Sequence, residues 1–248
     1  MLENKYKTRL YAALCLMAGA VCVSAETIEV NGVTLHYEVR GEGKPVILLH
    51  GNGGRHQDLD STMLVLARAG YRVYGVDSRG QGANKPLREY HYRDMAEDVH
   101  QLIERLQLGH PALYGWSDGG NVALQMEVMY PGTCSLIVTS GANIFPDGWG
   151  GHESIVRRIQ EDPDPKPLRK MLYYEPTMTW GDMKSILCPV LVTAGERDVI
   201  LESHTHTIAD SIPGAEMLIV KGATHTSYVK HSNKIAQIVL QFLQKQHY

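Results

Sequence analysis

The sequence predicts an α/β fold, a mostly parallel sheet of about eight strands with helices on both faces. Three observations carry that prediction. The chain has 248 residues, 44% of them hydrophobic and 21% charged, enough apolar material for one domain of α/β size. Six continuous apolar runs, each too short for a helix, recur along it at 46–49, 73–76, 112–114, 136–138, 190–192 and 217–220. Helical periodicity lies between or after them, around 58–70, 94–107, 118–130, 201–212 and 230–245. Strands without polar alternation are buried on both faces, as parallel strands are beneath crossover helices.

Taken in order, the elements begin with a leader. Lys5, Lys7 and Arg9 precede an apolar run at 10–23 that ends in Val23-Ser24-Ala25, the pattern of an export signal cleaved after Ala25. The run is shorter than the roughly 20 residues that span a bilayer, so the expectation is an exported chain, periplasmic or secreted, with no stable membrane insertion once 1–25 is removed. Runs at 27–30 and 33–39 are joined through Asn31-Gly32, a strong hairpin signal. The α/β alternation follows and is broken once. Residues 142–185 hold five prolines, Pro146, Pro163, Pro165, Pro167 and Pro176, together with Trp149, Tyr173, Tyr174 and Trp180. A connection of that length is uncommon without a role, and it is expected to be a short helical lid over the carboxyl ends of the strands. The domain thus covers 26–248. A net charge of -3 with no basic run excludes nucleic acid as a partner.

Three strand ends carry chemistry. Gly115-Trp116-Ser117-Asp118-Gly119 follows the run 112–114 and opens a helix, the G-x-S-x-G pattern in the strand-turn-helix context that lifts a serine hydroxyl above the sheet. A serine hydroxyl is a weak nucleophile, so a base and a group to orient that base are required elsewhere. Asp198 follows the run 190–192, and His225 follows 217–220; of 12 histidines only His225 lies directly after a strand and downstream of such an acid. Glu196 is the one rival acid. Upstream, 48–49 runs into His50-Gly51-Asn52-Gly53-Gly54, and the backbone N–H groups of Asn52 and Asp118 are the expected oxyanion donors. His50 is read as a brace for that loop. His204 and His206, two apart on a predicted helix, point to different faces and are read as solvated. No metal-ligand spacing appears, and no cofactor or metal is expected.

His50-Gly51, Asp77-Ser78-Arg79-Gly80-Gln81-Gly82, the serine turn, Gly195-Glu196-Arg197-Asp198 and His225, in that order, resemble the α/β-hydrolase superfamily over 26–248. Gly115-Trp116-Ser117-Asp118-Gly119-Gly120 with Gly141-Ala142-Asn143 further resemble its biphenyl hydrolase-like, or valacyclovir hydrolase, branch. The resemblance implies a triad of Ser117, Asp198 and His225 and substrate contacts from Asp118, Asn143 and Trp116, with Asp118 holding the ammonium of an amino acid ester. It also makes the strands after Cys134 and Cys188 neighbours, so that a disulfide between the two is expected to be within reach. The function implied is a serine hydrolase of small carboxylic esters acting through an acyl-enzyme. Carbon–carbon bond hydrolysis or thioester hydrolysis on the same triad is the alternative, and a ligand receptor with negligible turnover is another. A serine nucleophile disfavours dehalogenase and epoxide hydrolase chemistry, which by the same resemblance needs a carboxylate there.

Overall fold

The computed structural model describes residues 23–248. Most of the expected leader, 1–22, lies outside the described residues; 23–25 begin the first strand. β1 (Val23–Val30) and β2 (Val33–Arg40) form the expected hairpin, with positive φ at both Asn31 and Gly32. β3 (Lys44–Leu49), β4 (Tyr71–Val76), β5 (Ala112–Trp116), β6 (Leu136–Ser140), β7 (Val190–Arg197) and β8 (Glu216–Thr224) complete one sheet, ordered β1-β2-β4-β3-β5-β6-β7-β8. The hairpin joins antiparallel, and every pair from β4 to β8 is parallel.

Both faces of the central strands are covered, which explains their unbroken apolar runs. On one face α1 (Asp60–Arg68) and α8 (Asn233–Lys245) bury Met63, Leu66, Val239 and Phe242 against Val46, Leu48 and Tyr114. On the other, α2 (Tyr92–Arg105), α3 (Asp118–Met129) and α7 (Glu202–Ser211) bury Val99, Leu102, Val122 and Ile208 against Ile47, Leu49 and Leu113. Alternate residues of β3 thus serve opposite cores, as period-two geometry requires. Among the described residues no helix is long and apolar enough to cross a membrane. The last helix starts at Asn233 rather than 230, because the Ser232 hydroxyl accepts the Lys234 N–H as its cap.

The insertion between β6 and β7 is helical, as expected. It contains a 3₁₀ turn (Pro146–Gly148), α4 (His152–Glu161), α5 (Pro167–Tyr174) and α6 (Trp180–Met183). Its root is tied to the loop after β7: Gly150 N–H donates to Val199 O at 2.8 Å and Leu201 N–H to Gly148 O at 2.9 Å.

Two expectations are corrected. Cys134 and Cys188 are free thiols. Their strands are adjacent, but β6 and β7 pair Ile137 with Val190, and that register continued backward sets Ser135, not Cys134, opposite Cys188. His204 is not solvated. The split between His204 and His206 is present, yet the His204 face turns inward: its ring is 6% exposed, stands edge-on to Phe145 at 4.6 Å, and accepts the Ile144 N–H at Nε2, 3.1 Å away. The ring therefore pins the start of the insertion to α7.

Burial holds His204 down to a pKa of about 4, against 6.5 for an ordinary histidine. Its neutral form fits the native site, so this contribution is full above about pH 6.5 and is lost as pH falls toward 4, at up to about 1.4 kcal/mol per pH unit. We expect the urea midpoint of the unmodified chain to drop further between pH 7 and pH 4.5 than that of His204→Gln, which keeps an acceptor for Ile144 and removes the titration. Equal drops in the two proteins would refute this role.

Candidate active site

The site is built on the junction of β5 and α3. Ser117, between them, has φ 54° and ψ -120°, a conformation that side-chain-bearing residues rarely adopt. The strand and helix can meet this tightly only because of their glycines. A Cβ at Gly115 would run into the Gly119 carbonyl, and one at Gly119 into the carbonyl of Leu49 on β3. The turn is held by Ser117 N–H to Ser140 O at 2.7 Å and by the Gly120 and Asn121 N–H groups on Ser117 O at 2.8 and 3.0 Å.

The partners of Ser117 come from the ends of β7 and β8. These strands pair one residue past a bulge, Arg197 opposite Thr224, so Asp198 and His225 are the next residues on neighbouring parallel strands. His225 Nδ1 lies 2.6 Å from Asp198 Oδ1, and His225 Nε2 lies 3.0 Å from Ser117 Oγ. Asp198 also accepts the Gly195 N–H at 3.0 Å and the Ile200 N–H at 3.1 Å. Burial alone would raise its carboxyl; the hydrogen bond and charge of His225 and those two N–H groups outweigh it and hold Asp198 below the ordinary range. An ionised acceptor at Nδ1 requires Nδ1 to carry the proton, leaving Nε2 free to accept from Ser117. Gly141 lies beside the imidazole, where a Cβ would fall 2.6 Å from Nδ1. Glu196, the rival acid, points elsewhere and accepts the Gly222 N–H at 2.7 Å.

The loop after β3 stands opposite. His50 is buried and braces it: Nδ1 donates to Gly51 O at 2.7 Å and Nε2 accepts the Ser78 N–H at 3.0 Å, while burial keeps the ring below its ordinary pKa. Gly53 N–H donates to Gln81 at 2.7 Å and Gly54 N–H to Gly51 O at 3.0 Å. The N–H groups of Asn52 and Asp118 have no acceptor among the described residues. Two free donors thus flank Ser117, one at the amino end of α3 where the helix dipole favours negative charge.

The side chains of Asp118 and Asn143 do not line the cleft, contrary to expectation. The Asp118 carboxylate is 5% exposed and accepts the Asn52 side-chain amide at 2.8 Å, with the Tyr92 phenol beside it. Burial raises its pKa, against the lowering effect of Asn52 and Tyr92. Placed on the first turn of α3, the carboxylate turns toward the Asn52 loop and not toward solvent. Asn143 is paired with Asn121, at 2.8 and 3.0 Å, and fixes the exit of β6 to α3. Trp116 does line the cleft, and its Nε1 donates to the His225 carbonyl at 3.0 Å. The cleft is about 690 Å³ and is walled by Trp149, Ile155, Ile159 and Leu172 of the insertion. Arg158, Arg169 and Arg197 also line it. Sequence reading did not single these out; the Ile155 and Ile159 spacing on α4, with Arg158 next to it, is the signal that could have.

The backbone of Ser117 offers a test separate from any activity. Ser117→Gly and Ser117→Ala both remove the hydroxyl, but only glycine relieves the positive φ, a strain of about 1–3 kcal/mol, partly offset by glycine's looser unfolded chain. We expect Ser117→Gly to unfold at higher denaturant than Ser117→Ala by about 1 kcal/mol. A less stable glycine variant would mean the turn carries no strain.

Comparison with known proteins agrees with this fold. A family model described as alpha/beta hydrolase fold matches residues 44–168. Serine hydrolase BPHL of Mus musculus is 26% identical over 256 residues, covering 90% of this chain and 87% of that protein. Among solved structures, the esterase RhEst1 from a Rhodococcus species superposes with a TM-score of 0.76 at 22% identity, covering 90% of this chain and 98% of that one. An esterase from Thermogutta terrifontis gives 0.74 at 19%, covering 91% and 100%. The chain belongs to the α/β-hydrolase fold family and, within it, resembles the BPHL branch.

Proposed function

We propose that the chain is a serine hydrolase of carboxylic esters, acting through an acyl-enzyme on Ser117. The observation that carries this reading is the series Asp198, His225, Ser117, linked at 2.6 and 3.0 Å, at the wall of a cleft and beside two unpaired N–H groups. Ser117 Oγ attacks the ester carbonyl as its proton passes to His225 Nε2. The carbonyl oxygen becomes an oxyanion held by the Asn52 and Asp118 N–H groups. Collapse breaks the ester C–O bond, and the leaving alcohol takes the proton from Nε2. Water then attacks the acyl-enzyme, gives a proton to Nε2, and the tetrahedral species collapses to release the acid and return the proton to Ser117. Asp198 stays ionised throughout and stabilises the imidazolium that forms twice per turnover.

Multiple turnover of p-nitrophenyl acetate tests this reading. Ser117→Ala and His225→Ala are expected to lower kcat by at least about a thousandfold with the fold intact, and Asp198→Asn by less but still a large factor. Glu196→Gln is expected to keep near-normal kcat; the reverse pattern between Asp198 and Glu196 would overturn the acid assignment. A folded chain that binds the ester without turning it over is a receptor, which overturns the reading as a whole.

Asp118 supplies a second test. Its N–H is one oxyanion donor, and its carboxylate holds the side chain of Asn52, whose N–H is the other. Loss of one oxyanion donor costs on the order of a hundred- to a thousandfold in kcat, so loosening one should cost part of that. We expect Asp118→Ala to lower kcat by roughly tenfold or more with little change in KM, and Asp118→Asn, which can still accept from Asn52, to lower it less. A rise in KM at constant kcat would instead mark Asp118 as a substrate contact.

A further inference from the structure

The cleft beside Ser117 carries a charge pattern that the chemistry above does not require. Arg158 of α4, Arg169 of α5 and Arg197 at the end of β7 line it, against one carboxylate, Asp162. None of the three arginines has a carboxylate oxygen within 4.0 Å among the described residues. Arg197 Nη2 donates to Gly222 O at 2.6 Å and Arg158 Nε to Ser154 O at 3.3 Å, and both acceptors are neutral carbonyls that leave the charge uncompensated. By contrast, Arg40 is paired with Glu38 and Asp60, and Arg79 with Asp98 at 2.5 Å. Three guanidinium groups without a carboxylate partner thus line the cleft that holds Ser117. A concave site lined by one sign of charge focuses its field on the ligand.

We infer that the site takes esters that carry a carboxylate at the end distant from the scissile bond. The apolar wall of Trp149, Ile155, Ile159 and Leu172 suits the chain between the two, and guanidinium groups suit a carboxylate through paired N–H donors. This inference rests on the esterase reading and deepens it. Its sign is opposite to that of an amino acid ester, whose ammonium would meet the arginines while the Asp118 carboxylate is engaged with Asn52.

Three p-nitrophenyl esters of matched chain length test it on the full chain: mono-p-nitrophenyl adipate, p-nitrophenyl hexanoate and p-nitrophenyl 6-aminohexanoate. Each kcat/KM is scaled by the ester's own hydroxide hydrolysis rate. We expect the anionic ester to exceed the neutral one by about tenfold at low salt, equivalent to about 1.4 kcal/mol, and the cationic one to be poorest. The preference should shrink as NaCl rises toward about 0.5 M, because the arginines are solvent-accessible and screened. Arg158→Gln with Arg169→Gln should bring the anionic-to-neutral ratio toward one, and the paired Lys substitutions should retain part of it. Hydrolysis with no charge preference, a preference for the cation, or a ratio indifferent to the arginines overturns the inference and leaves the esterase reading standing. If no ester is turned over, calorimetric titration of Ser117→Ala with monomethyl adipate and methyl hexanoate decides the inference alone. Tighter binding of the anion supports it, and equal binding or none overturns it.

Discussion

The structure depends on how closely α3 can approach the sheet. A helix that follows a central strand without a loop must reverse the chain within one residue, and that residue is Ser117, held at positive φ. The approach is possible only where Gly115 and Gly119 leave no side chain between the helix and the carbonyls around it. The strain is local, and the surrounding hydrogen bonds from β6 and the first turn of α3 fix it. From this close packing follow the elevation of the Ser117 hydroxyl, the aim of the helix amino end, and the contact between Asp118 and the Asn52 loop.

Around that turn, the other groups are set by strand register and not by their own flexibility. Asp198 and His225 extend neighbouring strands from the paired residues Arg197 and Thr224, so their separation is fixed by the sheet. The Asn52 loop is fixed by Gln81, His50 and Asp118, each from a different element. The loop that carries Gln81 is itself anchored, since Asp77 accepts both the His56 N–H and the Ala83 N–H and Arg79 forms a buried two-bond pair with Asp98. Donors and acceptors that are already in position need little rearrangement when charge develops, which is the energetic advantage of such a site.

What the sequence made legible was local. The hairpin, the strand ends, the glycine turn and the three residues Ser117, Asp198 and His225 depend on short patterns and on chain order, and the structure brings those three together. What it left illegible depends on packing between distant segments. Asp118 at the start of a helix looks like a solvent-facing acid until the Asn52 loop is folded over it. His204 looks solvated until the insertion lays Ile144 and Phe145 against α7. Cys134 and Cys188 are one residue out of register, a difference no spacing in the sequence reveals. The cationic lining arises from three segments, 158, 169 and 197, that meet only when the insertion closes over the sheet.

The insertion is fastened to the body by the His204 contact, by the hydrogen bonds of Gly148 and Gly150 to the loop after β7, by Glu175 accepting the Tyr92 N–H, and by Met171, Met178 and Met183 buried in the core. The strand ends contribute Ser117, Asp198 and His225, while the insertion contributes about half of the cleft's lining, including its apolar wall. Side chains on α4 and α5 can therefore be exchanged without disturbing the strand register that sets Asp198 and His225, so the shape and charge of the cleft are separable from the geometry at Ser117.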